Sequence, residues 1–297
     1  MTKYILGIDG GGTKTDFLLC DDGLNEVARR LAPRSNPNDI GIDALEALIA
    51  ENISAMLSDC GIQATEVAAA FAGIAGLTSR DYASRVTNLL QSLLPSAKCS
   101  ALHDGINVLY GAFPYEDGVS IICGTGSSCF VKKGGEIHRI GGYGSFDLVG
   151  NGYEIGRAGI AHALKAADGR EPYGILEEML AEKLGDDFVA ALDKLLVMSK
   201  DELAAFAVTV FTAAEKGDAA AMGIIEENME YVASLIKRAG DYFEGAYSVA
   251  LAGGILKNPI SLSILKRLIP ANASLITDER APSFGAAAKA KTLLRPI

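Results

Sequence analysis

Short apolar runs and amphipathic stretches alternate along the whole chain, and each kind predicts a different secondary structure. Apolar runs bounded by turn residues are typical of buried strands, whereas leucine and isoleucine at helical spacing predict helices. The first part of the chain has predicted strands at 4–8, 17–20, 26–31, 67–73 and 100–102, and predicted helices at 40–60, 80–94 and 106–112. The first three strands follow one another closely and should form an antiparallel meander.

The second part of the chain repeats this order with more helix. Its predicted strands are 119–123, 129–132, 136–140, 247–252 and 273–276, and its predicted helices are 155–167, 174–184, 188–196, 200–216, 219–242, 259–268 and 283–294. Methionine, isoleucine and valine recur at helical spacing within 219–242, which predicts a stripe that faces the core. Strands that alternate with helices are typical of the α/β class.

The loop between the first two strands has an unusual composition, Asp9-Gly10-Gly11-Gly12-Thr13-Lys14. A tight hairpin uses one or two glycines for backbone with positive φ, so a third glycine suggests a loop shaped around a ligand. Loop amides and threonine hydroxyls can bind phosphate oxygens, and Asp9 can hold a hydrated cation. A plain glycine-rich hairpin is the alternative. A Walker A loop is excluded, because Thr13 rather than lysine follows Gly12 and a strand comes next.

A second loop of this kind, Gly124-Thr125-Gly126-Ser127-Ser128, also joins two predicted strands. Gly124-Thr125 follows Gly12-Thr13 by the same number of residues as Gly135 follows Gly23. The order strand, loop, strand, turn and strand therefore occurs twice in register. One such loop could be a simple turn. Two in register indicate a duplicated domain with two phosphate-binding hairpins.

Composition disfavours several classes of function. The chain has 297 residues and is 49% hydrophobic, which is enough for two domains with large cores. Its net charge of −10 disfavours binding to nucleic acid or anionic membranes. There is no apolar run of ~20 residues and no signal-peptide pattern, so we expect a cytoplasmic protein without a membrane partner. The 5 cysteines form no C-x-x-C pair and are interpreted as reduced, mostly structural residues.

Together these features resemble the actin-like ATPase (ribonuclease H-like) fold, and specifically the N-acetylglucosamine kinase group within the BadF-type ATPase family. Four motifs carry the resemblance. Asp9–Asp16 and Gly124–Ser128 resemble the two phosphate motifs of the family, Leu251–Ile255 resembles its adenosine motif, and Ala281–Ala288 resembles its second interdomain connection. The resemblance covers essentially the whole chain and implies two similar α/β domains, each with a five-stranded mixed sheet flanked by helices, and a ligand cleft between them. The implied N-terminal domain is 1–116 together with the C-terminal helix at about 281–297, and the C-terminal domain with helical insertions is 117–280.

The resemblance implies ATP and Mg²⁺ as cofactors. The residues that it assigns to ATP are Gly10, Gly11, Gly12, Thr13, Lys14, Gly124, Thr125, Gly126, Ser127, Gly253 and Gly254. Asp9 would hold Mg²⁺, and in similar sugar kinases an aspartate at the position of Asp104 accepts the proton of the sugar hydroxyl. Asp104 also follows a predicted strand, where open α/β sheets bind ligands. An aspartate before a glycine is, however, ordinary helix-cap chemistry as well.

The resemblance further implies a small-molecule amino sugar as partner and a homodimer as assembly. The residues that it assigns to the sugar are Ser35, Asn36, Asp104, Thr125, Gly142, Tyr143 and Asp147. The implied reaction is phosphorylation of the 6-hydroxyl of N-acetylglucosamine or a close relative, such as glucosamine or N-acetylmuramic acid. Tyr143 stands where the family usually has tryptophan, and Leu148-Val149 stands where an acidic residue and a glycine are typical. These departures leave the choice of sugar open.

Two other classes compete with the kinase interpretation. An ATPase activator of a dehydratase or reductase would need cysteines for an iron–sulfur cluster, but Cys123 and Cys129 fall within predicted strands and are poorly placed for one. A non-catalytic sugar sensor would need a DNA-binding extension, which the negative charge disfavours. The related hexokinase-like group with structural zinc is also disfavoured, because its cysteine cluster is absent.

Overall fold

The chain forms two compact units in a computed structural model that describes residues 3–78, 80–147, 149–185, 188–277 and 280–295. Unit 1 consists of Met1–Gly118 and Thr277–Ile297, and unit 2 consists of Val119–Ile276. Each unit contains one five-stranded sheet. Among the described residues, no helix is both long and apolar enough to cross a bilayer.

Unit 1 begins with the predicted meander and continues with strands joined by helices. Its elements before residue 118 are β1 (Tyr4–Gly10), β2 (Lys14–Cys20), β3 (Glu26–Pro33), α1 (Pro37–Ile40), α2 (Ile42–Cys60), β4 (Val67–Ile74), α3 (Tyr82–Leu93), β5 (Lys98–Leu102) and α4 (Gly105–Ala112). The strand order is β3-β2-β1-β4-β5. β1 is antiparallel to β2 across the short loop, whereas β4 is parallel to both β1 and β5. The parallel pairs need the intervening helices, because a parallel strand is reached only by a crossover.

Unit 2 repeats this plan around a second sheet. Its elements are β6 (Gly118–Cys123), β7 (Ser127–Lys133), β8 (Glu136–Ile140), α5 (Gly152–Ala167), α6 (Ile175–Leu184), α7 (Leu192–Leu196), α8 (Lys200–Ala204), α9 (Ala207–Glu215), α10 (Ala219–Gly240), β9 (Tyr247–Ala252), α11 (Gly254–Lys257), α12 (Pro259–Leu268) and β10 (Ala273–Thr277). The strand order is β10-β9-β6-β7-β8, with β6 parallel to β9 and β7 antiparallel to β8. The predicted fold class, two five-stranded mixed sheets flanked by helices, is thereby confirmed.

The last helix, α13 (Pro282–Thr292), packs against β1 of unit 1. An added Cβ at Gly7 of β1 would lie 2.3 Å from the backbone nitrogen of Ala287, so the helix and strand backbones are in direct contact. The small residues of 285–288 make this approach feasible, and all four are buried. Leu6 and Ile8, which alternate with Gly7, belong to the core on the opposite face of the sheet, under α2 and α3.

The predicted core stripe of α10 is confirmed, because Ile225, Met229, Val232 and Ile236 are all fully buried. Two helix predictions in unit 2 were wrong in extent. The stretch predicted as one helix at 200–216 is two helices, α8 and α9. The break lets the Leu203 carbonyl approach α5 so closely that a Cβ at Gly156 would lie 2.0 Å from its oxygen. The helix predicted at 188–196 is confined to α7, with turns before it.

Candidate active-site residues in the two units

The parallel strands of unit 1 end level with one another, and the predicted acidic residues lie at these ends. Asp9 of β1 pairs in register with Gly73 of β4, and Gly73 pairs with Leu102 of β5. Asp104 comes two residues after Leu102 and directly precedes α4. The carboxyl ends of parallel strands are where open α/β sheets bind ligands. Unit 1 therefore brings Asp9 and Asp104 to one edge of its sheet.

Asn107 is a residue of this edge that sequence reasoning missed. Its side-chain amide donates to Oδ1 of Asp9 at 2.6 Å and to the carbonyl of Gly73 at 2.9 Å. Asn107 has no exposed surface, and an added Cβ at Gly73 would lie 2.0 Å from its Oδ1. On its other side, a Cβ at Gly285 of α13 would lie 1.8 Å from the Asn107 carbonyl oxygen. Gly73 thus makes room for the side-chain amide that orients Asp9, and Gly285 makes room for the backbone of Asn107. The available signal was a polar residue within the apolar pattern of a short helix.

Burial raises the pKa of Asp9 from its ordinary value of 3.8 to about 6. The hydrogen bond from Asn107 opposes this shift, whereas the negative charges of Asp104 and Asp16 add to it. The ionised carboxylate of Asp9 is therefore undercompensated within the protein, and a bound cation would stabilise it.

These residues fit Mg²⁺ as it is usually bound in nucleotide enzymes. In the described part of the chain, no group of three or more His, Cys, Asp and Glu could hold a metal ion. Mg²⁺ does not need such a cage, because it keeps several waters and uses one or two carboxylates together with substrate phosphates. The buried carboxylate of Asp9, with the second negative charge of Asp104 nearby, suits this mode of binding.

Asp104 does not use its side chain to cap α4. Its Oδ1 is buried without a hydrogen-bond partner among the described residues. Nδ1 of His103 lies 2.7 Å from this oxygen, but the same nitrogen accepts the N–H of Gly105 at 3.1 Å. The contact is therefore an ion pair only when the imidazole is protonated. The helix-cap alternative for the Asp104 side chain does not describe this geometry.

The first glycine loop is braced by backbone hydrogen bonds and leaves its tip open. The N–H of Gly11 donates to the Lys14 carbonyl at 3.0 Å, and the Ala75 N–H donates to the Gly10 carbonyl at 2.8 Å. Gly12, Thr13 and Lys14 are exposed. Backbone contacts on its inner side thus fix the loop, while its tip is free to meet a ligand.

Ser35 and Asn36, which were predicted to contact the sugar, have different surroundings. Ser35 is fully buried behind the first loop, where its Oγ has no hydrogen-bond partner among the described residues and its N–H donates to the Gly11 carbonyl at 3.1 Å. Asn36 is half-buried and caps α1, since its Oδ1 accepts the Asn38 N–H at 3.0 Å. Asn36 therefore has more surface available to a ligand than Ser35 has.

The second glycine loop of unit 2 is held by the start of α5 and by α8. The Gly152 N–H donates to the Gly124 carbonyl at 2.7 Å, and the Tyr153 N–H donates to the Thr125 carbonyl at 3.2 Å. The hydroxyl of Thr125 donates to Oδ1 of Asp201 at 2.9 Å. Asp201 is thus a second residue that sequence reasoning missed. It lies in α8, which the sequence pattern did not separate from α9.

A cavity of about 540 Å³ joins this loop to the predicted adenosine motif. Gly124 and Thr125 line one side of it, and Gly254 lines another. The motif reaches the loop because β6 and β9 are parallel neighbours, and a Cβ at Gly253 would lie 2.1 Å from the Cys123 carbonyl oxygen. The helical insertion supplies further lining residues: Asp201, Val208, Phe211, Thr212 and Glu215.

Glycine is required by the protein itself at only some of the predicted ATP-binding positions. Gly10 and Gly253 have no room for a side chain, since added Cβ atoms would meet Ser35 at 2.4 Å and Cys123 at 2.1 Å. At Gly12, Gly124, Gly126 and Gly254, by contrast, no atom of the described residues lies within 4 Å of an added Cβ, and φ is not positive. Neither packing nor backbone strain explains glycine at these four positions. A ligand that lies against the backbone would explain it.

The segment predicted to contact the sugar lies beside the second loop. Gly142 and Asp147 line a cavity of about 150 Å³ together with Thr125, Gly126 and Ser127. Tyr143 is exposed, and its ring lies 5.6 Å from the guanidinium carbon of Arg139. Of the Leu148-Val149 departure, Leu148 lies outside the described residues. Unit 2 therefore brings Thr125, Gly142 and Asp147 to one cavity.

The fold and these motifs define a protein of the actin-like ATPase class. The model of the BadF/BadG/BcrA/BcrD ATPase family matches residues 6–288, and the chain belongs to this family. The predicted family resemblance is thus confirmed, and membership implies the use of ATP.

Two curated relatives carry kinase names. The chain is 29% identical, over an alignment of 313 positions, to an N-acetyl-D-glucosamine kinase of Dictyostelium discoideum. The alignment covers 97% of this chain and 98% of the relative. The chain is 28% identical over 265 residues to an N-acetylmuramic acid/N-acetylglucosamine kinase of Clostridium acetobutylicum, covering 86% of each.

Solved structures share the fold along almost the full chain. A candidate N-acetylglucosamine kinase of Chromobacterium violaceum has a TM-score of 0.77 at 22% identity, covering 96% of this chain and 98% of the other. A ROK hexokinase of Thermus thermophilus has a TM-score of 0.62 at 16% identity, covering 98% and 99%. At these identities the likeness concerns the fold.

Proposed function

We propose that the protein is an ATP-dependent amino-sugar kinase that phosphorylates the 6-hydroxyl of N-acetylglucosamine or a close relative. Membership of an ATPase family and two relatives named as amino-sugar kinases support this proposal. The observation that carries it is the 540 Å³ cavity, where Gly124 and Thr125 meet Gly254 from a motif far away in the sequence. The family resemblance had assigned both motifs to ATP before their proximity was known.

ATP would bind in this cavity, and the first glycine loop would supply further phosphate contacts. The base would lie against Gly253–Gly254, and the phosphates would accept hydrogen bonds from the two glycine loops. Amides and hydroxyls in such loops form fixed anion sites, which is the main requirement of phosphoryl transfer. Gly12, Gly124, Gly126 and Gly254 have open space where a side chain would otherwise stand, as close backbone contact with the nucleotide requires.

Asp9 would hold Mg²⁺, which supplies charge neutralisation at the phosphates when it is bound. Asp104 would accept the proton of the sugar 6-hydroxyl as the oxygen forms its bond to the γ-phosphorus and ADP departs. The buried Oδ1 of Asp104, which has no hydrogen-bond partner within the described part of the chain, suits this role. A carboxylate that is not committed to a donor can take up a proton at little cost to the surrounding structure.

The proposed sugar-binding residues are Asn36 and those of the segment 142–147. Asn36 has a half-buried amide, and the segment offers the Gly142 backbone, the Tyr143 ring and the Asp147 carboxylate. Such neutral and acidic groups can hydrogen-bond the hydroxyls of a sugar ring. N-acetylglucosamine, glucosamine and N-acetylmuramic acid are the substrates to compare, because Tyr143 departs from the usual tryptophan.

A coupled assay of ATP turnover tests the proposal. Turnover is measured with Mg²⁺ and with N-acetylglucosamine, glucosamine, N-acetylmuramic acid, N-acetylmannosamine or glucose, and without sugar. We expect strong stimulation by one or more of the first three sugars. Turnover that no sugar changes would contradict the proposal and would direct attention to an ATPase activator, for which anaerobically prepared protein is assayed for bound iron. A homodimer is also proposed, and light scattering after gel filtration tests it.

A further inference from the structure

The segment from Gly141 to Asp147 has backbone turns that favour glycine at three positions, and neighbouring side chains hold it in place. Gly141, Gly142 and Gly144 have φ values of 67°, 71° and 68°, a backbone region that favours glycine. From β8, the Nε of Arg139 donates to the Gly141 carbonyl at 3.1 Å, and a terminal guanidinium nitrogen donates to the Gly142 carbonyl. The segment is therefore fixed on one side by a cation that binds its backbone oxygens.

Tyr231 of α10 holds the other side of the segment through Asp147. The Tyr231 hydroxyl donates to Oδ1 of Asp147, and Oδ2 of Asp147 accepts the Gly142 N–H at 2.7 Å. Asp147 thus links α10 to the backbone at Gly142. Burial and the Asp147 carboxylate raise the pKa of Tyr231, so its hydroxyl remains a donor at neutral pH.

α10 also holds residues 149–150, which follow the segment. Asn228 lies three residues before Tyr231, and side chains at that spacing share a helix face. Its Oδ1 accepts the Gly150 N–H at 2.8 Å, and its side chain is buried. The Oγ of Ser127 in the second glycine loop donates to the Val149 carbonyl at 3.0 Å. α10 and the second glycine loop therefore jointly fix the position of residues 149–150, close to the end of the segment.

The segment and the second glycine loop both line the 150 Å³ cavity, the segment through Gly142 and Asp147 and the loop through Thr125, Gly126 and Ser127. The two elements are in direct contact, since an added Cβ at Gly142 would lie 2.5 Å from the Ser127 carbonyl oxygen. A shift of the Gly142 backbone would change the shape of the cavity directly beside the proposed phosphate site. Among the described residues, Arg139 donates to the Gly142 carbonyl and Asp147 accepts the Gly142 N–H, and Asp147 is in turn held by Tyr231.

We propose that Tyr231 is a positioning residue for the sugar: it holds Asp147, and through Asp147 the Gly142 backbone, where this segment meets the substrate. This inference rests on the proposed function. Tyr231 acts through Asp147 and does not line the cavity itself. Its role is therefore to set the geometry of a sugar-binding wall, which affects sugar affinity and leaves nucleotide affinity unchanged.

The test compares Tyr231→Phe with a matched control, Tyr247→Phe. Both substitutions remove one tyrosine hydroxyl in unit 2, but that of Tyr247 donates to the Ile236 carbonyl at 2.9 Å, away from the segment. We expect Tyr231→Phe to raise the sugar KM about tenfold, as the loss of a charge-assisted hydrogen bond allows, with the ATP KM within about twofold of wild type. Tyr247→Phe should change neither KM. Hydrogen–deuterium exchange of peptides covering 141–150 should become faster in Tyr231→Phe alone.

A double variant tests whether Tyr231 acts through Asp147. Adding Tyr231→Phe to Asp147→Ala should leave the sugar KM unchanged from that of Asp147→Ala. The inference is overturned if Tyr231→Phe leaves the sugar KM at the wild-type value, if it raises both KM values equally, or if exchange over 141–150 does not change. A wild-type protein without sugar-dependent turnover overturns the proposed function, and with it the substrate role of Tyr231. An active wild type with an unaffected Tyr231→Phe variant overturns this inference alone.

Discussion

The side-chain amide of Asn107 donates a hydrogen bond of 2.6 Å to Oδ1 of Asp9, across the carboxyl edge of the first sheet. The amide is fully buried against Gly73. Asp9 therefore has a fixed orientation before any ligand arrives. The proposed Mg²⁺ ligand is thus positioned by a residue of the helix that follows the proposed catalytic base, Asp104.

This arrangement predicts strong coupling between Gly73 and Asn107. In Gly73→Ala, the new Cβ would lie 2.0 Å from Oδ1 of Asn107, so the amide must leave Asp9. We expect the free energy of unfolding to fall by about 1–3 kcal/mol and sugar-dependent turnover to fall at least roughly tenfold. In an Asn107→Ala background the space is already free, so Gly73→Ala should add little. Urea unfolding of the four proteins measures the coupling, and additive losses would contradict this packing.

The raised pKa of Asp9 predicts how the stability of the protein depends on pH. The pKa rises on folding from 3.8 to about 6, so the folded protein holds this proton more tightly than the unfolded chain does. The contribution of Asp9 to the free energy of unfolding is therefore largest below pH 4 and declines as pH rises to about 6. Asp9→Asn removes this dependence, and we expect the variant to exceed wild type in stability by about 2–3 kcal/mol at pH 7.5.

Urea unfolding at pH 3.5 and pH 7.5 checks this prediction, because the difference between the two proteins should grow with pH. Asp22→Asn, at an exposed turn position, is the control and should follow wild type at both pH values. A constant difference between Asp9→Asn and wild type would show that Asp9 does not titrate in this range.

Alanine substitutions at the two glycines of the proposed adenosine motif should have different effects, one on stability and the other on the ATP KM. Gly253 has a φ of 92° and no room beside the Cys123 carbonyl, so Gly253→Ala should destabilise unit 2. Gly254 has open space for a Cβ, so Gly254→Ala should keep the wild-type melting temperature. If the nucleotide lies against this backbone, Gly254→Ala should nevertheless raise the ATP KM about tenfold, with the sugar KM unchanged. An unchanged ATP KM in this stable variant would argue against nucleotide contact at Gly254.

Substitutions at Asn36 separate sugar contact from helix capping. Asn36→Ala loses both the cap of α1 and the amide, whereas Asn36→Asp keeps a capping oxygen but replaces the amide donor with a charged carboxylate oxygen. We expect both variants to raise the sugar KM about tenfold relative to the ATP KM, while only Asn36→Ala loses stability, by about 1 kcal/mol. A wild-type sugar KM in Asn36→Asp, or equal changes in both KM values, would assign Asn36 to capping alone.

The sequence predicted the strands and loops of both units because these features are local. Apolar runs fix the strands, and the glycine loops recur at a constant offset, so the duplication of the sheets can be seen without coordinates. The parallel pairing of β6 with β9, which brings Gly253 beside Cys123, is consistent with that plan. The predicted roles of the site residues rest on the family resemblance and stay predictions.

The features that were missed depend on contacts between distant parts of the chain. Asn107 sits in an apolar helical pattern, and only the register of β1 with β4 shows that it reaches Asp9. The helical pattern of 200–216 continues across residues where the structure breaks, because the break serves the contact between Leu203 and Gly156. The link of Tyr231 to Asp147 joins residues from separate elements, and nothing in either local pattern indicates it.

In the proposed reaction, the protein moves a phosphoryl group from ATP to an amino sugar, with Asp104 as the base. Phosphorus NMR of a mixture of ATP, Mg²⁺ and N-acetylglucosamine or the sugar that stimulates turnover most tests it directly, with wild type and Asp104→Asn side by side. We predict that wild type forms sugar 6-phosphate and ADP in equal amounts. Asp104→Asn should bind ATP normally but form product about 10²- to 10⁴-fold more slowly. Inorganic phosphate in place of a sugar phosphate would contradict the proposed transfer to a sugar. Wild-type rates in Asp104→Asn would contradict the proposed role of Asp104 as the base.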